Sequence, residues 1–217
     1  MVSKQAAAPL YQGQFGPFSI TASDRQEVIV YRSALAVAAL CFTAGSALIL
    51  RQGAQPWVLY GLTALFSCFW LALGVSLATI HIYLKPLHQA LKIFWLIGGL
   101  SALGLAIAYP TPLLLTLYQQ PLTLFGVGFT FVALTGIFFK EAFCFGRLET
   151  QILTPIVPAL LLGHLSGWLP LTWERWLLLA WAVLFLVFAG RKAFQPIPDD
   201  IGDKSVFAYL EEREQAS

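Results

Sequence analysis

Six apolar stretches, each near the length needed to cross a bilayer, constrain this chain more than any motif in it. They run over residues 33–50, 57–80, 93–109, 122–139, 152–169 and 175–190. A helix needs roughly 20 such residues to cross about 30 Å of hydrocarbon. Every Lys, Arg, Asp and Glu lies between these stretches or at their ends. A soluble fold of 217 residues could not hide so much apolar surface: 58% of the residues are hydrophobic and only 11% are charged, where about 25% is usual. An ordinary soluble enzyme, a disordered chain and a secreted disulfide scaffold are excluded. The pattern predicts an all-α fold, a polytopic transmembrane helical bundle of six spans. Its parts are a polar N-terminal tail over 1–31, the six-helix domain over 32–192 and a C-terminal tail over 193–217.

The boundaries carry the markers expected of a membrane interface. Trp57, Tyr60, Tyr83, Trp95, Tyr109, Tyr118, Trp168, Trp173 and Trp176 fall near the ends of the stretches, where amphipathic rings favour headgroup depth. Pro56, Pro86, Pro110, Pro112 and Pro121 punctuate the loops. Pro155 and Pro158 instead fall inside the fifth span. Each removes a backbone donor there, so that span is expected to kink or to start late. The first 30 residues hold no apolar run of signal-peptide length, so no cleaved leader is expected.

Charge orients the bundle. With six spans both termini share a side, together with the second-to-third and fourth-to-fifth loops. That side carries all the Lys and Arg except Arg51 and Arg175, and all the Asp and Glu except Glu174. The positive-inside rule then places both termini on the cytoplasmic or stromal side. A net charge of +2 is too small to imply a nucleic-acid partner. The lipid bilayer is the partner that composition implies. The cysteines Cys41, Cys68 and Cys144 are odd in number and form no CxxC pair, so neither a disulfide framework nor a zinc motif is indicated. Cys41 and Cys68 read as small buried hydrophobes.

The densest polar stretch is Lys140-Glu141-Ala142-Phe143-Cys144-Phe145-Gly146-Arg147-Leu148-Glu149-Thr150. On a helix Lys140 and Cys144 share a face, and a thiol beside Lys and Arg could serve as nucleophile or ligand. The plainer alternative is an amphipathic turn whose charges pair with one another. His81 and His88 bracket the second-to-third loop around Lys85. With Glu141, Cys144 and Glu149 on the same side they could in principle bind a metal, but the spacing matches no metal motif. Together His81, Lys85, His88, Lys140, Glu141, Cys144, Arg147 and Glu149 form the candidate interaction cluster of the cytoplasmic face.

His164 is the one titratable residue read as lying deep in a span, flanked by Gly163 and Gly167. An intramembrane ionisable group marks a candidate site. A neutral imidazole there could ligate a chlorophyll magnesium or a haem iron, with the glycines leaving room for a flat macrocycle. The plainer alternative is a hydrogen bond between helices. Small residues four apart, Gly98/Ala102/Ala106 and Ala39/Thr43/Ala47, let helix backbones approach closely within the bundle. In the C-terminal tail, Val206, Phe207 and Leu210 could form the apolar edge of a short helix. The two halves of the chain share no visible repeat.

Val30-Tyr31-Arg32-Ser33, His81-Ile82-Tyr83-Leu84-Lys85 and the stretch from Phe139 to Thr150 together resemble a family of uncharacterised integral membrane proteins of cyanobacteria and plant chloroplasts. The resemblance runs from about Val30 to Lys192. It implies a photosynthetic membrane, thylakoid or plasma membrane, and a helper role in building or maintaining a pigment–protein complex. Three functions stay open at this point. The first is an auxiliary or assembly factor that binds other membrane-complex subunits. The second is a small transporter or channel component using the broken fifth span and His164. The third is a membrane-surface enzyme using Cys144 or His81 and His88. No catalytic constellation distinguishes them.

Overall fold

The computed structural model describes residues 10–12, 17–82, 84–197, 201 and 203. A small antiparallel hairpin, β1 (Leu10–Gln12) and β2 (Pro17–Ser19), pairs Tyr11 with Phe18. Eight helices follow: α1 (Ala22–Gln52), α2 (Pro56–Thr79), α3 (Lys85–Ala108), α4 (Leu113–Gln119), α5 (Leu124–Val127), α6 (Phe129–Phe145), α7 (Leu148–Leu165) and α8 (Leu171–Ala193). A single 3-10 turn, Pro121–Thr123, leads into α5. Among the described residues five helices are long and apolar enough to cross a membrane, and the bent pair formed by Pro121–Val127 and α6 makes a sixth if it is counted as one span. The all-α bundle read from the apolar stretches is the fold found.

Its boundaries differ from those of the apolar runs, each for a local reason. The first helix starts at Ala22 rather than 33, because Thr21 and Asp24 form a capping box. Thr21 N–H donates to Asp24 Oδ2 at 2.8 Å, and the Asp24 N–H donates back to Thr21 Oγ1 at 3.2 Å. At 1.5 Å per residue α1 is roughly 46 Å long, so its first turns stand beyond the hydrocarbon. The third helix begins at Lys85, with Pro86 in the first turn where its missing N–H costs nothing. Trp95 therefore sits well inside α3 rather than at an interface. It stacks on Trp70 of α2 at 4.3 Å, and each indole N–H donates to the other tryptophan's carbonyl, at 3.0 and 2.8 Å.

The fourth apolar stretch is not one continuous helix. Its two parts meet at 57° around Gly128, where a Cβ would lie 2.3 Å from the Leu124 carbonyl oxygen. The fifth does not start late: α7 runs from Leu148 to Leu165 through both Pro155 and Pro158. Its early start follows Gly146, which ends α6 in the left-handed region at φ 58°. The short α4 lies in what the sequence presents as a loop. Cys68 is exposed on α2 rather than buried, while Cys41 is half-buried.

The helices of the terminal half pack densely. Leu35, Leu73, Leu134, Ile137, Phe138, Phe185 and Phe188 are all but fully buried, and Phe138 meets Phe185 and Phe188 edge-on. Gly98 of the small-residue stripe seats α3 on α6, since a Cβ there would lie 2.1 Å from Thr130 Oγ1, while Ala102 packs with Leu113, Leu117 and Val127 and Ala106 is exposed. On α1, Ala39 is buried, Thr43 donates to the Ala182 carbonyl, and Ala47 is exposed. The first and last described segments lie on one face of the bundle. There Ile20, Val28 and Ile201 cluster with Tyr11, Phe18 and Ile197. The expected helix around Val206, Phe207 and Leu210 lies outside the described residues.

Candidate functional site

The charged stretch at the end of α6 is an internal lock. Glu141 is fully buried, because it lies on the side of α6 that faces α1 and α8. Its Oε2 accepts from Lys192 Nζ at 2.7 Å, and its Oε1 from Lys140 Nζ at 3.0 Å and Tyr31 OH at 3.4 Å. The Lys192 ammonium also lies 4.3 Å from the centroid of the Phe145 ring. Three helices are tied together at one carboxylate. A second knot holds the next turn: buried Glu149 accepts from Arg147 at 3.3 Å and from Arg191 at 2.7 Å. Arg147 reaches on to Gln195 Oε1, and Arg32 donates to the Gln195 and Pro196 carbonyls. The chain beyond α8 is thereby fastened across the ends of α1 and α7.

The remaining residues of the sequence cluster are placed elsewhere. Cys144 is exposed and takes part in neither knot, while the Lys140 ammonium lies against Glu141 and Phe145. His81 Nε2 lies 3.3 Å from Glu27 Oε2. His88 Nε2 donates to the Leu77 carbonyl at 2.6 Å. Lys85 is exposed at the start of α3. The structure thus brings Glu141 together with Lys140, and Arg147 with Glu149, but does not gather the two histidines with Cys144 or either carboxylate. His81 shares its surroundings with Asp24 and Glu27, whose ligand-capable atoms lie within 4.8 Å of one another and of the imidazole. Those two acids belong to the segment read from sequence as a polar tail, so the grouping was missed.

The opposite half of the bundle is hollow. A cavity of about 460 Å³ opens between α1, α2, α4, α7 and α8, reaching from Gly53 and Arg175 inward to Cys41, Phe131 and Trp181. Its wall is apolar almost throughout, and its outer end carries one polar group of residues. His164 Nδ1 lies 2.7 Å from Glu174 Oε1. His164 Nε2 lies 3.2 Å from the Tyr118 carbonyl oxygen, and the Tyr118 ring stacks on the imidazole at 4.8 Å. Loss of solvation, and next the Glu174 carboxylate, raise the pKa of the Tyr118 phenol, which keeps it neutral.

His164 is therefore not deep in a span: it occupies the last turn of α7, because that helix begins early and ends at Leu165. Its partner was readable. Only the short turn through Gly167, φ 65°, and Pro170 separates α7 from α8, so residues at the facing helix ends must meet. Both ring nitrogens of His164 thus lie near oxygen atoms of the protein, Glu174 Oε1 and the Tyr118 carbonyl.

A family model described as uncharacterized integral membrane protein, DUF2301, matches residues 75–209, which take in Tyr118, Glu141, His164, Glu174, Trp181 and Lys192. No curated protein and no solved structure matches the chain.

Proposed function

The chain belongs to the DUF2301 family of uncharacterized integral membrane proteins, and we propose that it is an auxiliary binding protein that holds a lipophilic small molecule inside its bundle. The carrying observation is the chamber. It is a half-open cleft in an otherwise packed bundle, and its apolar lining is left free for dispersion contacts with a bound molecule. Its volume of about 460 Å³ lies within the roughly 300–1,000 Å³ typical of ligand pockets, as does its makeup of apolar walls with a few convergent polar groups.

Binding is favoured over conduction because the chamber is blind toward the terminal face. Beyond Trp181 along α8 come the buried Phe185 and Phe188, and beyond Phe131 along α6 come Leu134, Ile137 and Phe138. Glu141 and Lys192 close the end. Catalysis is disfavoured because His81 and His88 are separately engaged, with Glu27 and with the Leu77 carbonyl.

The photosynthetic membrane implied by the sequence resemblance belongs to this proposal, with the protein holding its ligand beside the subunits of a membrane complex. So does a cytoplasmic or stromal placement of the terminal face. The direct test is mass spectrometry of an organic extract of protein purified in mild detergent. A stoichiometric lipophilic compound is expected from the wild type and a reduced yield from Ser46→Phe, which narrows the chamber. Bulk detergent and phospholipid in equal amounts from both would refute the chamber's role. Recovery of the protein without other complex subunits would count against the auxiliary role.

A further inference from the structure

The described residues hold two buried serines, and the fold treats them differently. Ser76 Oγ donates to the Tyr31 carbonyl at 3.1 Å. Ser46 is 5% exposed and lines the chamber, yet its hydroxyl bonds to no described residue. A hydroxyl inside a helix commonly turns back on the carbonyl four residues earlier, as those of Thr63, Ser67 and Thr79 do on α2. That of Ser46 does not, and unlike the sealed Thr130 hydroxyl its oxygen keeps accessible surface. The second unpaired group is Arg175, the one Lys or Arg among the described residues lining the chamber. Its neighbour Glu174 is engaged by His164 at 2.7 Å, and Arg175 itself makes no ion pair with a described residue. The two groups are in register. Phe42 packs on Trp181 at 4.4 Å, and Thr43 Oγ1 donates to the Ala182 carbonyl. Antiparallel α1 and α8 therefore set Ser46 about one helical turn, roughly 5 Å along the axis, deeper than Arg175.

We propose that the molecule held in the chamber is a glycerophospholipid, its phosphate on Arg175 and an acyl ester carbonyl accepting the Ser46 O–H. The inference rests on the chamber being a binding site, and it supplies the ligand's class. The order of the lining is that of the lipid: a cation at the mouth, a lone hydroxyl one turn deeper, and beyond it the apolar Phe42, Phe69, Phe131 and Trp181. Headgroup, ester and the first part of an acyl chain fall in the same sequence. The mouth also lies at headgroup depth, since Trp168, Trp173 and Trp176 are exposed around the same helix ends. Arginine meets a phosphate with a fork of paired donors, and the carboxylate beside it that would repel an anion is occupied by His164. An ester carbonyl suits a lone hydroxyl donor, because it has no proton of its own to satisfy.

Two probes separate this inference from the reading beneath it: monodecanoyl glycerophosphate, and monodecanoylglycerol, which has the same chain and ester but no phosphate. Both are titrated calorimetrically into the full-length protein in detergent micelles. The wild type is expected to bind the phosphate probe about 10-fold more tightly than the neutral one, the worth of one charge-assisted contact. Arg175→Gln should erase that preference by weakening the phosphate probe about 10-fold. Arg51→Gln, in the last turn of α1 but outside the chamber lining, should leave it intact. Ser46→Ala removes only the hydroxyl and should weaken both probes about 10-fold. Equal binding of both probes by the wild type overturns the phospholipid while leaving the chamber in place. So does unchanged affinity for the phosphate probe in a folded Arg175→Gln or Ser46→Ala, or a preference lost in Arg51→Gln. If neither probe binds, the organic extract divides the outcome. A stoichiometric compound other than phospholipid overturns the phospholipid alone, and the lack of any such compound overturns the chamber with it. Should a variant fail to fold, the two-probe comparison on the wild type decides alone.

Discussion

The two ends of the bundle treat charge and space in opposite ways. On the terminal face the buried carboxylates Glu141 and Glu149 each hold two cations, and the half-bundle above them is filled by Phe138, Phe185 and Phe188. At the other end one His–Glu pair guards a chamber of about 460 Å³. A membrane gives no hydrophobic drive for one helix to join another, so association rests on packing and polar links. The terminal half uses both in full and has the character of a lock. The other half gives up packing, which is the signature of a place reserved for something else.

Breaking the lock should have the largest effect. Glu141→Ala leaves the Lys192 ammonium buried without its partner, a loss of about 3–5 kcal/mol in such pairs. A large fall in the unfolding temperature in detergent is expected. The double variant Glu141→Met/Lys192→Met removes both charges and should recover most of the loss. If Glu141→Ala melts like the wild type, the lock is not what holds this end together.

Next comes the seam between α3 and α6, where a Cβ on Gly98 would lie 2.1 Å from Thr130 Oγ1 and 2.4 Å from its backbone nitrogen. The nearest obstacle includes main chain, which a rotamer change cannot relieve. Gly98→Leu should cost at least the about 1–3 kcal/mol of ordinary overpacking. Gly104→Leu, on the same helix where a Cβ meets nothing within 4 Å, is the matched control and should leave the melting temperature nearly unchanged.

These two regions also mark how far the sequence could be read. The spans were legible because apolar runs without charge have few other uses. Span ends were less so: Thr21 and Asp24, or Lys85 and Pro86, extend a helix through polar residues that hydropathy alone assigns to loops. The break at Gly128 left no trace, since both of its arms are apolar. Glu141 marks the deeper limit. A carboxylate at a span's end looks the same in sequence whether it meets water or, as here, the α1 and α8 side chains Tyr31 and Lys192. The chamber is a property of what several helices fail to fill, and no single stretch encodes it.

At the hollow end the expected effects on stability are smaller, because ligand retention rather than folding is at stake. His164→Ala removes one link between α7 and α8 and the stacking partner of Tyr118. A side-chain hydrogen bond between membrane helices is worth about 1 kcal/mol, so the melting temperature should fall modestly. The yield of chamber-bound compound in an organic extract should fall further than stability does. An unchanged yield would separate the polar mouth from the chamber's function and leave the apolar wall as the binding determinant.

Cys144 gives the smallest expected effect on stability and an independent check of the topology. It is exposed at the terminal end of α6 and contributes to neither ionic knot, so Cys144→Ala should change stability by no more than about 0.5 kcal/mol. In the Cys41→Ala/Cys68→Ala background its thiol is the remaining one among the three cysteines. A membrane-impermeant maleimide added to intact cells should then leave it unlabelled, and should label it once inverted vesicles present the cytoplasmic surface. Labelling from outside would reverse the proposed orientation, placing the chamber's mouth on the cytoplasmic side. The chamber would then draw its ligand from the opposite leaflet, with the lock and the packing above it unchanged.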